Sequence, residues 1–142
     1  VEIIPDSQLA LIRKSITEAE KKTSAEIRVL IEEKCKGSVL DRSAYAFRKL
    51  KMHKTRFRNG TLIYVSVKDK QCAIIGDYGI NRLAEKDFWK TVLDEMIVFL
   101  SAGQLTEGII HAVQRLADKL AEHFPANNNN PNELPDEVVT KL

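Results

Sequence analysis

Two glycines bracket a carboxylate in Gly76-Asp77-Tyr78-Gly79-Ile80, and a second glycine turn, Arg58-Asn59-Gly60, precedes it. Glycine on either side of Asp77 frees the backbone to take positive φ or to approach another group closely. A carboxylate on such a loop suits metal ligation. The same residue can instead cap the loop or the helix that follows. Glu26, at the start of an apolar stretch, and Asp87 or Glu85, at the start of a long one, are further carboxylates. Two or three carboxylates with loop carbonyls suit a hard cation, since calcium takes six to eight oxygens and magnesium keeps more water. The expected metal ligands are therefore Asp77, Glu26 and Asp87, helped by carbonyls of Arg58–Gly60 and Tyr78–Ile80, with calcium favoured over magnesium. Zinc fits poorly, because His53, His111, His123, Cys35 and Cys72 form no locally spaced pair. A rival acidic group, Glu32, Glu33, Asp41 and Asp69, reads as surface charge and a helix cap. No GxSxG, P-loop or HExxH motif is present.

The elements that must position these groups follow from apolar periodicity. Leu9, Ile12, Ile16 and Ala19 predict a first helix over Asp6–Lys22, capped by Asp6 or Ser7. Ala25–Ile31 alternates as a strand, with Ile27, Val29 and Ile31 on one face. Glu26, Arg28 and Leu30 lie on the other, which is then partly wet or holds a paired Glu26 and Arg28. A second helix over Ser38–Met52 buries Leu40, Ala44, Phe47 and Leu50, and Ser38 with Asp41 resembles a capping box. Thr61–Val67 and Cys72–Ile75 predict a hairpin turning at Lys68-Asp69-Lys70-Gln71. Leu83–Ala102 and Thr106–His123 are predicted helices separated by Gly103. Their stripes are Leu83, Trp89, Val92, Met96, Phe99 and Leu100, then Ile109, Ile110, Val113, Leu116, Ala117 and Leu120. Residues 1–124 form the folded domain. Residues 125–142, with four consecutive asparagines and three prolines, read as an extended or disordered tail, from which Leu134, Val138 and Val139 can dock.

The β–α–β unit makes the first two strands parallel through a right-handed crossover, and the hairpin makes the third antiparallel. Glu26, Arg58-Asn59-Gly60 and Asp77 then meet at one edge of the sheet. The basic connection Lys51–Gly60 adds Lys54 and Arg58 there, which suit the oxygens of a phosphoryl group. Without a stacking platform or recognised motif, it reads as a solvated helix end and not as a nucleic-acid site.

A chain of 142 residues, 44% apolar and 30% charged with net charge +2, is the composition of one soluble domain. The near-neutral balance gives no argument for nucleic acid or an anionic membrane. No apolar run reaches the roughly 20 residues of a membrane span, and the expected location is the cytoplasm. Cys35 and Cys72 do not suggest a disulfide scaffold.

The run Ser24-Ala25-Glu26-Ile27-Arg28-Val29, then Lys51-Met52-His53-Lys54-Thr55, Arg58-Asn59-Gly60, Gly76-Asp77-Tyr78-Gly79-Ile80 and Asp87-Phe88-Trp89 resembles the TPM-domain family. The ending Asn132–Glu137 also resembles its short stand-alone bacterial branch. The resemblance implies a three-layer α/β/α sandwich around a small mixed sheet of about four strands. The fourth strand would come from Glu33–Lys36 or a terminus. It also implies divalent-metal binding, an acid-phosphatase activity found in plant thylakoid members, or an accessory role beside a protein partner. The combined expectation is a divalent-cation-binding domain with a regulatory or accessory role. The alternatives are a metal-dependent phosphomonoester hydrolase using Arg58 and Lys54, and a protein-interaction module using the Pro/Asn tail.

Overall fold

The hairpin and the β–α–β unit build the centre of the molecule. The computed structural model describes residues 3–81, 86–126 and 138–142. Strand β1 (Glu26–Glu32) pairs in parallel with β2 (Gly60–Ser66), Glu26 lying opposite Gly60. Strand β2 pairs antiparallel with β3 (Gln71–Gly76), Thr61 opposite Gly76. A two-residue strand from the C-terminal segment, β4 (Val138–Val139), runs parallel to β1 on its other side, giving the order β3-β2-β1-β4. The fourth strand thus comes from the terminus, and Val138 and Val139 are buried in the sheet. Leu134 and the asparagine run lie outside the described residues.

One face of the sheet carries Ile27, Val29, Ile31, Ile63 and Val65 into the larger core. Helices α1 (Asp6–Glu20), α4 (Lys86–Ser101) and α5 (Leu105–Ala121) supply the rest of that core. The stripe Leu9, Ile12, Ile16 and Ala19 is buried as its spacing requires. Its cap is not Asp6 or Ser7: Pro5 is the N-cap and makes no side-chain bond, its fixed φ leading into the first turn. Val92, Met96 and Leu100 of α4 face Ile109, Val113 and Leu116 of α5 within the same core. Gly108 lets these helices approach, because a Cβ there would lie 2.8 Å from the Phe99 Cβ. Leu83 lies outside the described residues.

The opposite face is covered by helix α2 (Val39–Lys49). Leu30, Leu62, Tyr64, Ala73 and Val139 meet Ala46, Phe47 and Met52 in a second, smaller core. The Ser38 cap is as expected, its hydroxyl accepting from the Asp41 amide at 3.0 Å. The buried face differs from the expected one. Ser43, Ala46 and Phe47 point inward, whereas Leu40 is 68% exposed and Ala44 is exposed. The helix closes three residues earlier than predicted, and Lys51 takes φ 59° just beyond it. A short helix, α3 (Tyr78–Asn81), absent from the sequence reading, follows β3. The architecture is an α/β/α sandwich, with α1, α4 and α5 on one face, α2 on the other, and Ile80 of the short α3 joining the larger core.

Candidate functional site at the Glu26–Gly60–Asp77 edge

Three residues lie in a row across the sheet where β1 and β2 begin and β3 ends. Glu26 is the register partner of Gly60, and the Asp77 amide donates to the Gly60 carbonyl at 2.9 Å. The flanking residues are two strand spacings apart, about 10 Å between Cα atoms. Glu26 shares its face with Leu30, the face covered by α2, and the alternation of β3 carries Asp77 there too. Gly60 between them is required by close approach: a Cβ would lie 2.8 Å from the Met52 carbonyl oxygen. Two carboxylates therefore flank a glycine over which a main-chain carbonyl sits. Both carboxylate residues are buried, each 6% exposed.

Asp77 is held by Arg58. The Arg58 Nε donates to Oδ2 at 2.7 Å and Nη2 to Oδ1 at 2.9 Å. Oδ1 also accepts from the Tyr78 amide at 2.7 Å. The guanidinium side chain is 51% exposed while Asp77 is enclosed. The carboxylate in turn holds the Arg58 guanidinium above its ordinary pKa. Such a two-pronged bond fixes the guanidinium plane and leaves its outer N–H groups toward solvent.

The backbone makes this clasp. Arg58 takes φ 51°, a left-handed conformation, and its carbonyl accepts from the Gly79 amide at 2.9 Å. A Cβ on Gly79 would lie 2.7 Å from that carbonyl and closer still to that of Phe57. Only glycine lets the two loops meet. Asp77 also starts α3 through its carbonyl, which accepts from Ile80 and Asn81 at 3.0 Å.

The expected convergence of Glu26, the Arg58–Gly60 turn and Asp77 is thus present. The face holding Glu26 and Arg28 is covered, not wet, and both residues are buried with interaction partners. Asp87 is exposed in the first turn of α4. Among the described residues no three His, Cys, Asp or Glu side chains come together as a metal-holding group, so Asp87 adds no third carboxylate. Glu85 lies outside the described residues. Lys54 is exposed on the loop that carries Arg58. Sequence reasoning gave the Arg58 side chain a phosphoryl group and its loop carbonyls to the metal, and missed the guanidinium as partner of Asp77. It also missed the Met52 carbonyl, whose place depends on how the loop after α2 folds back over Gly60.

The opposite edge is a closed network. Glu32 accepts from Arg42 at 2.9 and 2.5 Å and from the Tyr64 hydroxyl at 2.8 Å. The Arg42 bond holds its carboxyl below the usual range, and burial pushes the Tyr64 phenol up. Asp69 accepts from the Cys35 amide at 2.7 Å and from Ser66 at 2.8 Å. Glu33 pairs with Lys68. Cys35 and Cys72 are free thiols, and burial pushes Cys72 up to about 11.

A sequence profile of the TPM domain matches residues 1–119. This chain belongs to the TPM-domain family. Among solved structures, the TPM domain described here is similar to BA42 from the psychrophilic bacterium Bizionia argentinensis, at 35% identity and a TM-score of 0.91. That match covers 99% of this chain and 97% of BA42. The fold is shared with the N-terminal domain of a protein from P. gingivalis at 16% identity and a TM-score of 0.70, covering 86% of this chain and 79% of that one. No curated protein matches the chain. No helix among the described residues is long and apolar enough to cross a membrane.

Proposed function

We propose that this TPM domain binds a divalent cation, calcium in preference to magnesium, in a regulatory or accessory role. The observation that carries the reading is the pair of buried carboxylates, Glu26 and Asp77, flanking Gly60 beneath the Met52 carbonyl. An all-oxygen set of this kind suits a hard cation and offers little to zinc. Glu26 and Asp77 hold the ion, which supplies positive charge to two carboxylates. Asp77 already has a cation in Arg58 and Glu26 also has a partner, so a metal would bind by exchange, displacing the guanidinium from Asp77. The metal fastens the loops that meet at this edge, and it stabilises the fold because only the folded chain presents the set. Asp87, exposed on α4, takes no part.

Competition gives the test. Arg58→Gln removes the resident cation and should tighten calcium binding measured by calorimetry. Asp77→Asn should abolish binding and Asp87→Asn should leave it unchanged. Weaker calcium binding in a folded Arg58→Gln protein contradicts the exchange.

The second reading, a phosphomonoester hydrolase, draws on the solvent-facing half of the Arg58 guanidinium and on exposed Lys54. Turnover of a chromogenic phosphate that needs both metal and Arg58 separates it from a binding role. Turnover that survives Asp77→Asn belongs to another site or another protein.

A further inference from the structure

We propose that the cleft between α1 and α5, far in sequence from the Asp77 loop, binds a single-chain carboxylate amphiphile, a molecule with a fatty-acid-like alkyl tail and one carboxylate head. The cleft has a volume of about 400 Å³, within the usual range of small-molecule sites. Its apolar lining is Leu11, Ala19, Ile110 and Ala117. Ala19 and Ala117 are buried where the two helices pack and leave room that larger side chains would fill, while Leu11 is 49% exposed. An alkyl chain laid here would cover apolar surface now facing water.

The polar lining selects the head group. Lys14 and Lys22 stand at the rim. Lys14 makes no ion pair among those described, and Lys22 makes one exposed contact to Asp118 at 3.2 Å. Glu18, the acidic residue of the lining, is engaged by Lys21 at 3.4 Å. Ser15 lines the cleft beside Lys14, and its buried hydroxyl has no hydrogen-bond partner. A buried unpaired hydroxyl is uncommon because it forgoes the bond it made in water. The Lys14 ammonium and the adjacent orphaned Ser15 hydroxyl complement a carboxylate, not a cationic or neutral head; Lys22, about 12 Å further along the helix direction, adds positive charge to the same lining.

The experiment is an amide NMR titration of the full chain with octanoate, decanoate and dodecanoate below micelle formation, with dodecyltrimethylammonium as the charge control. Saturable shifts confined to residues 11–22 and 110–117 are expected, with affinity rising about fourfold per added methylene until the cleft is filled. Lys14→Glu, an exposed change that the fold should tolerate, is expected to weaken dodecanoate binding roughly tenfold or more. Shifts spread over the whole chain, an equal response to the cationic amphiphile, or unchanged affinity in a folded Lys14→Glu protein would each overturn the proposal.

Discussion

Arg58 and Asp77 lie 19 residues apart and form a two-pronged ion pair at the candidate site, with the carboxylate enclosed. Their meeting depends on Gly79, where any side chain collides with the Phe57 and Arg58 carbonyls. Gly79→Ala should therefore lower stability by about 1–3 kcal/mol, the usual range for overpacking, measured as a shift in denaturant midpoint. An unchanged midpoint would mean that the loops are free to separate. The glycine bracket around Asp77 was legible in the sequence as a place of close approach. The arginine on the far side was not, because the bond requires a left-handed residue at position 58 and a specific loop path. At the other edge, Glu32 gives a pH prediction. Its carboxyl is held below the ordinary value of 4.5 by Arg42. The stability it contributes is present above that value and is lost as pH falls through the lower folded one. Glu32→Gln should be less stable near neutrality and should lose less on acidification. Parallel stability–pH curves for the two proteins would count against the pairing.

At the scale of the element, α2 separates what periodicity conveys from what it leaves open. Leu40, Ala44 and Phe47 have helical spacing, yet the buried set is Ser43, Ala46 and Phe47. The sequence stripe and the buried stripe differ by part of a turn, and Ser43 sits inside because its hydroxyl bonds the Val39 carbonyl at 2.7 Å. A helix covering a small sheet turns its narrow side, here Ala46, toward the strands and leaves a large residue such as Leu40 outside. Phe47→Ala should thus cost about 3–5 kcal/mol, whereas Leu40→Glu should stay within about 0.5 kcal/mol of the parent. Thermal or denaturant unfolding of both variants checks the assignment, and a severe loss from Leu40→Glu would reverse it. The stripe of α1 was fully legible because it faces a single broad core. Helix α3 was not, since four residues carry no period.

On the scale of the whole molecule, the parallel β1–β2 pair and the hairpin could be derived from element order and crossover handedness. That order alone carries Glu26, the Arg58–Gly60 turn and Asp77 to one edge. It gives no account of which cation they meet, because Arg58 enters from the loop and not from the sheet. The C-terminal strand shows the same limit: Val138 and Val139 were visible as apolar residues, but their pairing with β1 joins the two ends of the chain's order. A cation that binds only the folded chain should raise the unfolding midpoint, by about 2.7 kcal/mol of stability at a hundredfold excess over its dissociation constant. The most direct measurement is a calcium and magnesium titration of the metal-stripped protein followed by backbone amide NMR. The account predicts saturable shifts centred on Glu26, Arg58–Gly60 and Gly76–Ile80, stronger for calcium, together with loss of the Arg58 side-chain N–H signals bonded to Asp77. A titration that leaves those amides and the Arg58 side chain unmoved would contradict it, and Arg58 would then be the permanent partner of Asp77.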